Sequence, residues 1–182
     1  MAEIRVTGGE LRGRRLHVPR EGVRPTTGRV REAIFSMLGS VEGATVLDLF
    51  AGSGALGIEA LSRGAREATF IDSDTRAVTR NLRELGLSAR VERSDVARWL
   101  SRTSSSKSPP TYDLVLCDPP YTLAAGLDAD LNAGLARIVA RDGKLVLETA
   151  ARKPLDLGFP VIKERKYGDT LLRIHALGGE DA

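Results

Sequence analysis

The chain has 182 residues, 42% of them hydrophobic, which suffices for one well-packed domain and is too little for two ordinary ones. No apolar run approaches the roughly 20 residues a membrane span needs, and the start, Met1 to Glu10, lacks the apolar core of a signal peptide, so a soluble cytoplasmic protein is expected. One cysteine, Cys117, and two histidines exclude an intramolecular disulfide and a structural zinc cluster, and no bound metal is expected.

The net charge of +3 is unevenly placed. Residues 1–32 carry eight arginines (Arg5, Arg12, Arg14, Arg15, Arg20, Arg24, Arg29, Arg31) against four glutamates, whereas the other 150 residues hold 19 basic and 20 acidic side chains. Arginine's planar fork suits phosphate and base stacking, so residues 1–32 read as a nucleic-acid-facing arm on a nearly neutral body at 33–182. A solvated basic surface without a partner is the plain alternative.

Within the arm, Ile4 to Thr7 and Leu11 to Val18 alternate apolar and polar residues around Gly8-Gly9, which predicts a basic β-hairpin with a tight turn. Arg24-Pro25-Thr26-Thr27 supplies a stop and an N-cap for a helix carrying Val30, Ala33, Ile34, Met37 and Leu38 at helical spacing, flanked by Arg29 and Arg31. Strands are expected at 45–49, 68–72, 89–93, 113–117 and 144–148, with helices near 54–63, 74–86, 95–101 and 128–140. This alternation means an α/β fold with a mostly parallel sheet that binds ligands beyond the carboxyl ends of its strands. The polar, serine-rich stretch 101–110 reads as a surface loop. Two strand-like runs around Gly168-Asp169 predict an antiparallel hairpin at the sheet edge.

The run Val46 to Gly57 is a buried strand passing through a glycine turn into a helix. Gly52, Gly54 and Gly57 satisfy G-x-G-x-x-G, and Asp72 stands where a ribose-binding acid should, so an NAD-dependent oxidoreductase is possible by spacing alone. Asp48 argues against a pyrophosphate beside it and for a cationic ligand. S-adenosylmethionine, with its sulfonium and zwitterionic end, fits Asp48, Gly52, Ser53, Gly54 and Asp72, the glycines letting the backbone approach the cofactor. Asp95 follows the third strand, where it either accepts from the adenine amino group or caps the next helix. Phe50 and Ile71 line the cofactor or belong to the core.

Asp118-Pro119-Pro120-Tyr121 ends the fourth strand. Two prolines stiffen the turn and remove two backbone donors, leaving carbonyls free to accept. Asp118 and a proline carbonyl can take both hydrogens of an exocyclic amine while Tyr121 stacks on a base withdrawn from its helix. Catalysis would then be positioning and electrostatics, without a covalent intermediate. The rival is Cys117 as a nucleophile for methylating a pyrimidine carbon, though its place inside an apolar strand suits a buried residue.

Asp48 to Gly54 followed by Asp118 to Tyr121 resembles the class I S-adenosylmethionine-dependent methyltransferases that act on amino nitrogens. Together with Arg5 to Arg14, Arg24 to Glu32 and Arg165 to Thr170, the chain is similar to the RsmD family of bacterial enzymes that methylate N2 of a guanine in 16S ribosomal RNA. The resemblance implies a Rossmann-like, seven-stranded sheet with its last strand antiparallel, a monomer, and 16S rRNA or a small-subunit particle as partner. Arg5, Arg12, Arg14, Arg15, Arg24, Arg29 and Arg31 would grip the RNA. Family members often carry Glu where this chain has Asp72. An adenine-N6 DNA methyltransferase, for which the chain has little room for a target-recognition domain, and a non-catalytic RNA-binding assembly factor are the competing readings.

Overall fold

The computed structural model describes residues 2–18, 27–120 and 127–176. Strands β3 (Thr45–Leu49), β4 (Glu67–Asp72), β5 (Arg90–Arg93), β6 (Tyr112–Cys117), β7 (Val139–Ala150), β8 (Val161–Tyr167) and β9 (Thr170–Ala176) form one sheet in the order β5-β4-β3-β6-β7-β9-β8. The first five of these, in chain order, are parallel, while β9 runs antiparallel to both β7 and β8. The sheet is therefore seven-stranded with its last strand reversed, as expected. From β3 the chain winds outward through β4 and β5, then returns to β6 on the other side of β3. That reversal opens a crevice at the carboxyl ends of β3 and β6, the place where open α/β sheets bind ligands.

Helices α1 (Gly28–Leu38), α2 (Ala55–Ser62) and α3 (Arg76–Leu85) cover one face, and α4 (Val96–Ser104) and α5 (Leu127–Ile138) the other. The central strand β3 is buried at every position, with alternate side chains entering the two cores: Val46 joins the first, Leu47 and Leu49 the second. Thr27 caps α1 through its hydroxyl on Val30 N, and Gly39 ends it in the left-handed region. Among the described residues, no helix is long and apolar enough to cross a membrane.

Three local expectations change. The serine-rich stretch is helical to Ser104, because Trp99 and Leu100 anchor α4 in the core and the Ser105 hydroxyl folds back onto Ser101 O at 2.7 Å. Strand β7 begins directly after α5, at Val139 rather than Lys144, with an irregular register opposite Tyr112. The arm pairs β1 (Ala2–Arg5) with β2 (Arg15–Val18) antiparallel, but the connection spans residues 6–14 instead of turning tightly at Gly8-Gly9. Those glycines lie against the end of α2: a Cβ on Gly9 would stand 1.7 Å from Ser62 O. The backbone goes there to donate, from Glu10 N to Ser62 O and from Leu11 N to the Ser62 hydroxyl.

Docking of the arm is extensive. Val6 and Leu16 are buried in the same core as α1, α2 and α3. Glu59, fully buried on α2, accepts from Thr7 N, the Thr7 hydroxyl, Gly8 N and Arg63 Nε. Arg31 completes this cluster: its side chain is 1% exposed, its Nε lies 3.9 Å from Glu59, and its Nη2 donates to Arg5 O at 2.6 Å. Burial pulls the Arg31 pKa down while Glu59 opposes the shift. Arg31 is thus a buried strut between arm and body, which corrects its expected place among RNA-facing arginines.

Candidate nucleotide-modification site

Register brings the site together. Leu49 of β3 is level with Ile71 of β4 and with Cys117 of β6, so the next residues, Phe50, Asp72 and Asp118, emerge side by side at the sheet edge. Asp48 stands two residues behind them, with one carboxyl oxygen accepting from Gly57 N at 2.9 Å. Burial pushes the Asp48 carboxyl well above the usual carboxylate range, and the charges of Asp118 and Asp72 push it further. Three acids therefore share a small region whose repulsion a cationic ligand would relieve.

Phe50 has φ 59°, and it is the non-glycine residue that takes the left-handed region among those described. A bulky residue held there marks strain imposed by its surroundings. The chain turns sharply at that point, with Ala51 N donating to Ile71 O, and delivers Gly52 N to the Asp72 carboxylate at 2.8 Å. Asp72 also accepts from Asp74 N at 2.8 Å. The Ser73 hydroxyl also donates to the oxygen that Asp74 uses, so the oxygen facing Gly52 is the one that keeps a lone pair for a further donor such as a ribose hydroxyl.

The three glycines have different tasks. Gly52, at φ 54°, would carry a Cβ with nothing nearer than Phe50 O at 3.9 Å, so its side faces open space. Gly54 and Gly57 face protein instead: a Cβ on Gly54 would stand 2.5 Å from Val78, and one on Gly57 2.4 Å from Phe70. Only Gly52 keeps backbone clear for a ligand; the other two admit α3 and the sheet. Ser53 is buried, and its carbonyl accepts from Asn81.

Asp95 caps α4, accepting from Arg98 N at 3.0 Å, and is exposed at the carboxyl end of β5. Capping occupies one carboxylate oxygen and leaves the other available for an adenine amine. Asp118 is half-buried, Pro119 buried and Pro120 exposed, while Tyr121 lies outside the described residues. Cys117 is buried, and desolvation, then the neighbouring Asp118 and Asp48 charges, raise its thiol far above the range of a reactive thiolate. Neither histidine joins the site: His17 Nε2 lies 2.8 Å from Glu84, and buried His175 holds Phe159 O through Nδ1.

Of the expected RNA-facing arginines, Arg5, Arg12, Arg14, Arg15 and Arg29 are exposed, and Arg24 lies outside the described residues. Arg5 donates to Gly13 O, Arg14 to Glu84 O, and Arg15 faces Glu3. Glu59 and Asn81, which hold the arm and the glycine turn, escaped sequence reading; the only signal was a polar residue at a helix position that should face the core.

A family model described as conserved hypothetical protein 95 matches residues 4–176. A Haemophilus influenzae protein named ribosomal RNA small subunit methyltransferase D is 32% identical over 182 residues, covering 95% of this chain and 93% of that relative. The chain belongs to the RsmD family. An Escherichia coli family member of the same name is 48% identical over 126 residues, a stretch spanning 65% of this chain but only 61% of that relative. A solved structure from Escherichia coli, titled a putative methyltransferase, superposes with a TM-score of 0.79 at 35% identity, covering 96% of this chain and 98% of its own.

Proposed function

We propose that this RsmD-family chain methylates the exocyclic N2 amine of a guanine in 16S ribosomal RNA, using S-adenosylmethionine. The observation that carries the reading is the alignment of Phe50, Asp72 and Asp118 at the mouths of three neighbouring strands, with buried Asp48 behind them. The donor set fits this cofactor. Gly52 leaves open space, Asp72 has acceptor capacity for a ribose, exposed Asp95 has a carboxylate oxygen not used in capping for an adenine amine, and the clustered acids suit a cation. When bound, S-adenosylmethionine supplies a methyl group on a positively charged sulfur.

The rest falls to the chain's own residues. Asp118 and a carbonyl of Pro119 or Pro120 accept the two amine hydrogens of the base, which draws the nitrogen lone pair out of the ring and aims it at the methyl carbon. That nitrogen would receive the methyl group of bound S-adenosylmethionine, and the Asp118 carboxylate would take the surplus amine proton and pass it to water. Tyr121 stacks on the flipped base and keeps it in plane. No residue forms a covalent bond to the base, which agrees with the buried, protonated Cys117. Positioning and electrostatics supply the acceleration. The exposed arm arginines hold the RNA backbone.

The deciding experiment treats unmethylated small-subunit RNA and particles with the protein and labelled S-adenosylmethionine, then maps the modified base. Label on guanine N2, lost in Asp118→Ala, is the expected result. Label on adenine N6 in DNA would identify the other enzyme. Binding without transfer would leave an assembly factor.

A further inference from the structure

We infer that the groove between α1 and the outer strand β8 is a second RNA-binding surface, which takes phosphate backbone on the side of α1 away from the arm. The inference rests on the proposal that RNA is the substrate and names a surface which that proposal does not use. The groove encloses about 330 Å³, with Ala33, Ser36 and Met37 on the helix side and Lys163, Glu164, Arg165 and Tyr167 on the strand.

Its position follows from strand direction. Strand β8 runs antiparallel to β9, β9 antiparallel to β7, and β7 parallel to β6, so Tyr167 and the turn at Gly168-Asp169 end on the same sheet edge as Asp118. Three strand spacings separate β6 from β8, about 14 Å. A strand of RNA whose target base sits beside Asp118 can thus reach β8 with neighbouring phosphates.

Its charge is of the right sign and is unsatisfied. Glu164 is paired with Arg173 at 2.8 Å, and Lys163 closes the base of the groove by donating to Met37 O at 2.6 Å. Arg165, whose place opposite Leu172 turns it to the α1 side of the strand, is exposed and has no carboxylate within salt-bridge distance among the described residues. Arg29, one helical turn before Ala33 on α1, is exposed and equally unpaired, extending the basic stripe toward the start of α1. The arm's Arg5, Arg14 and Arg15 by contrast already hold protein oxygens. Beyond the basic residues, Val161 and Ile162 are the exposed large hydrophobic residues of the described chain, at the far end of the same strand. Lysine on an outer strand also discourages strand pairing, but that role needs charge of either sign, which the test uses.

The experiment introduces negative charge from each wall separately, in Arg165→Glu and Ser36→Asp. Lys107→Glu and Arg137→Glu, exposed and attached to the opposite face, serve as controls. Each groove variant should bind small-subunit particles about 5- to 10-fold more weakly near 0.1 M salt, with a salt slope smaller by about one. Affinity for S-adenosylhomocysteine and the melting temperature should stay at wild-type values. A photoreactive residue at position 165 should crosslink to RNA in the particle. Wild-type affinity in both groove variants, equal loss in the controls, or a crosslink to a ribosomal protein instead of RNA would each overturn the inference. A wild-type protein that binds neither particle nor RNA would instead remove the functional reading beneath it.

Discussion

The side-chain amide of Asn81 donates to the carbonyl of Ser53, inside the glycine turn, at 2.8 Å. The same buried amide donates to His17 O at 2.9 Å and accepts from His17 N at 2.8 Å, so one residue of α3 joins the arm's second strand to the cofactor loop. Replacing it with leucine leaves three backbone groups unpaired in a buried place, at about 1–3 kcal/mol for each that water cannot reach. Asn81→Leu should therefore weaken S-adenosylhomocysteine binding at least 10-fold and raise hydrogen exchange across 15–18. Calorimetric titration and exchange mass spectrometry read the two effects, and exchange confined to the glycine turn would refute the bridge.

Glu59 is the other anchor of the arm. It is fully buried with Arg31 and accepts three hydrogen bonds from Thr7 and Gly8. Removing one partner of a buried ion pair is strongly destabilising, about 3–5 kcal/mol, because the other charge is stranded. Glu59→Ala should lower the melting temperature by about 6–20 °C, and limited proteolysis should cut within 6–14 before the body. Glu59→Gln, which keeps some acceptors, should lie between the two.

Asp48 should show opposite effects on folding and on binding. Its carboxyl is raised, so the folded state holds the proton more tightly than the unfolded one. The contribution of Asp48 to the stability of the apoprotein is then fully present below the ordinary carboxylate range and is lost as pH rises through the elevated value. Asn at this position still accepts from Gly57 N and carries no charge. Asp48→Asn should melt a few degrees higher at neutral pH, with the advantage disappearing in acid, yet bind S-adenosylhomocysteine or S-adenosylmethionine about 10- to 100-fold more weakly. Melting curves and titrations across pH check the sign of both.

Cys117 is the simplest test of mechanism. Its buried, protonated thiol has no chemical task in the proposed reaction. Cys117→Ala should retain methyl transfer within a few-fold and lose about 1 kcal/mol of stability from the small cavity. Complete loss of transfer in a folded variant, measured with labelled cofactor, would revive a cysteine nucleophile.

Much of this protein was legible in the order of its residues. The alternation of apolar strand runs with helical spacing gave the parallel sheet, because a two-residue period and a 3.6-residue period bury different faces. Glycines at 52, 54 and 57, Asp72, and the stiff Asp118-Pro119-Pro120 turn are local features, so their placement after strands could be read directly. What tertiary structure alone decided was the use of each residue. Gly54 and Gly57 look identical to Gly52 in a motif, but Val78 and Phe70, brought up by other elements, make them packing positions. Arg31 looks like its exposed neighbour Arg29, yet the turn of α1 points it at Glu59, a contact 28 residues away in sequence. Charge count alone assigns both to a solvent-facing arm. Only the folded chain shows that one arginine of the pair holds the arm to the body while the other is exposed, since burial depends on neighbours that sequence spacing does not contain.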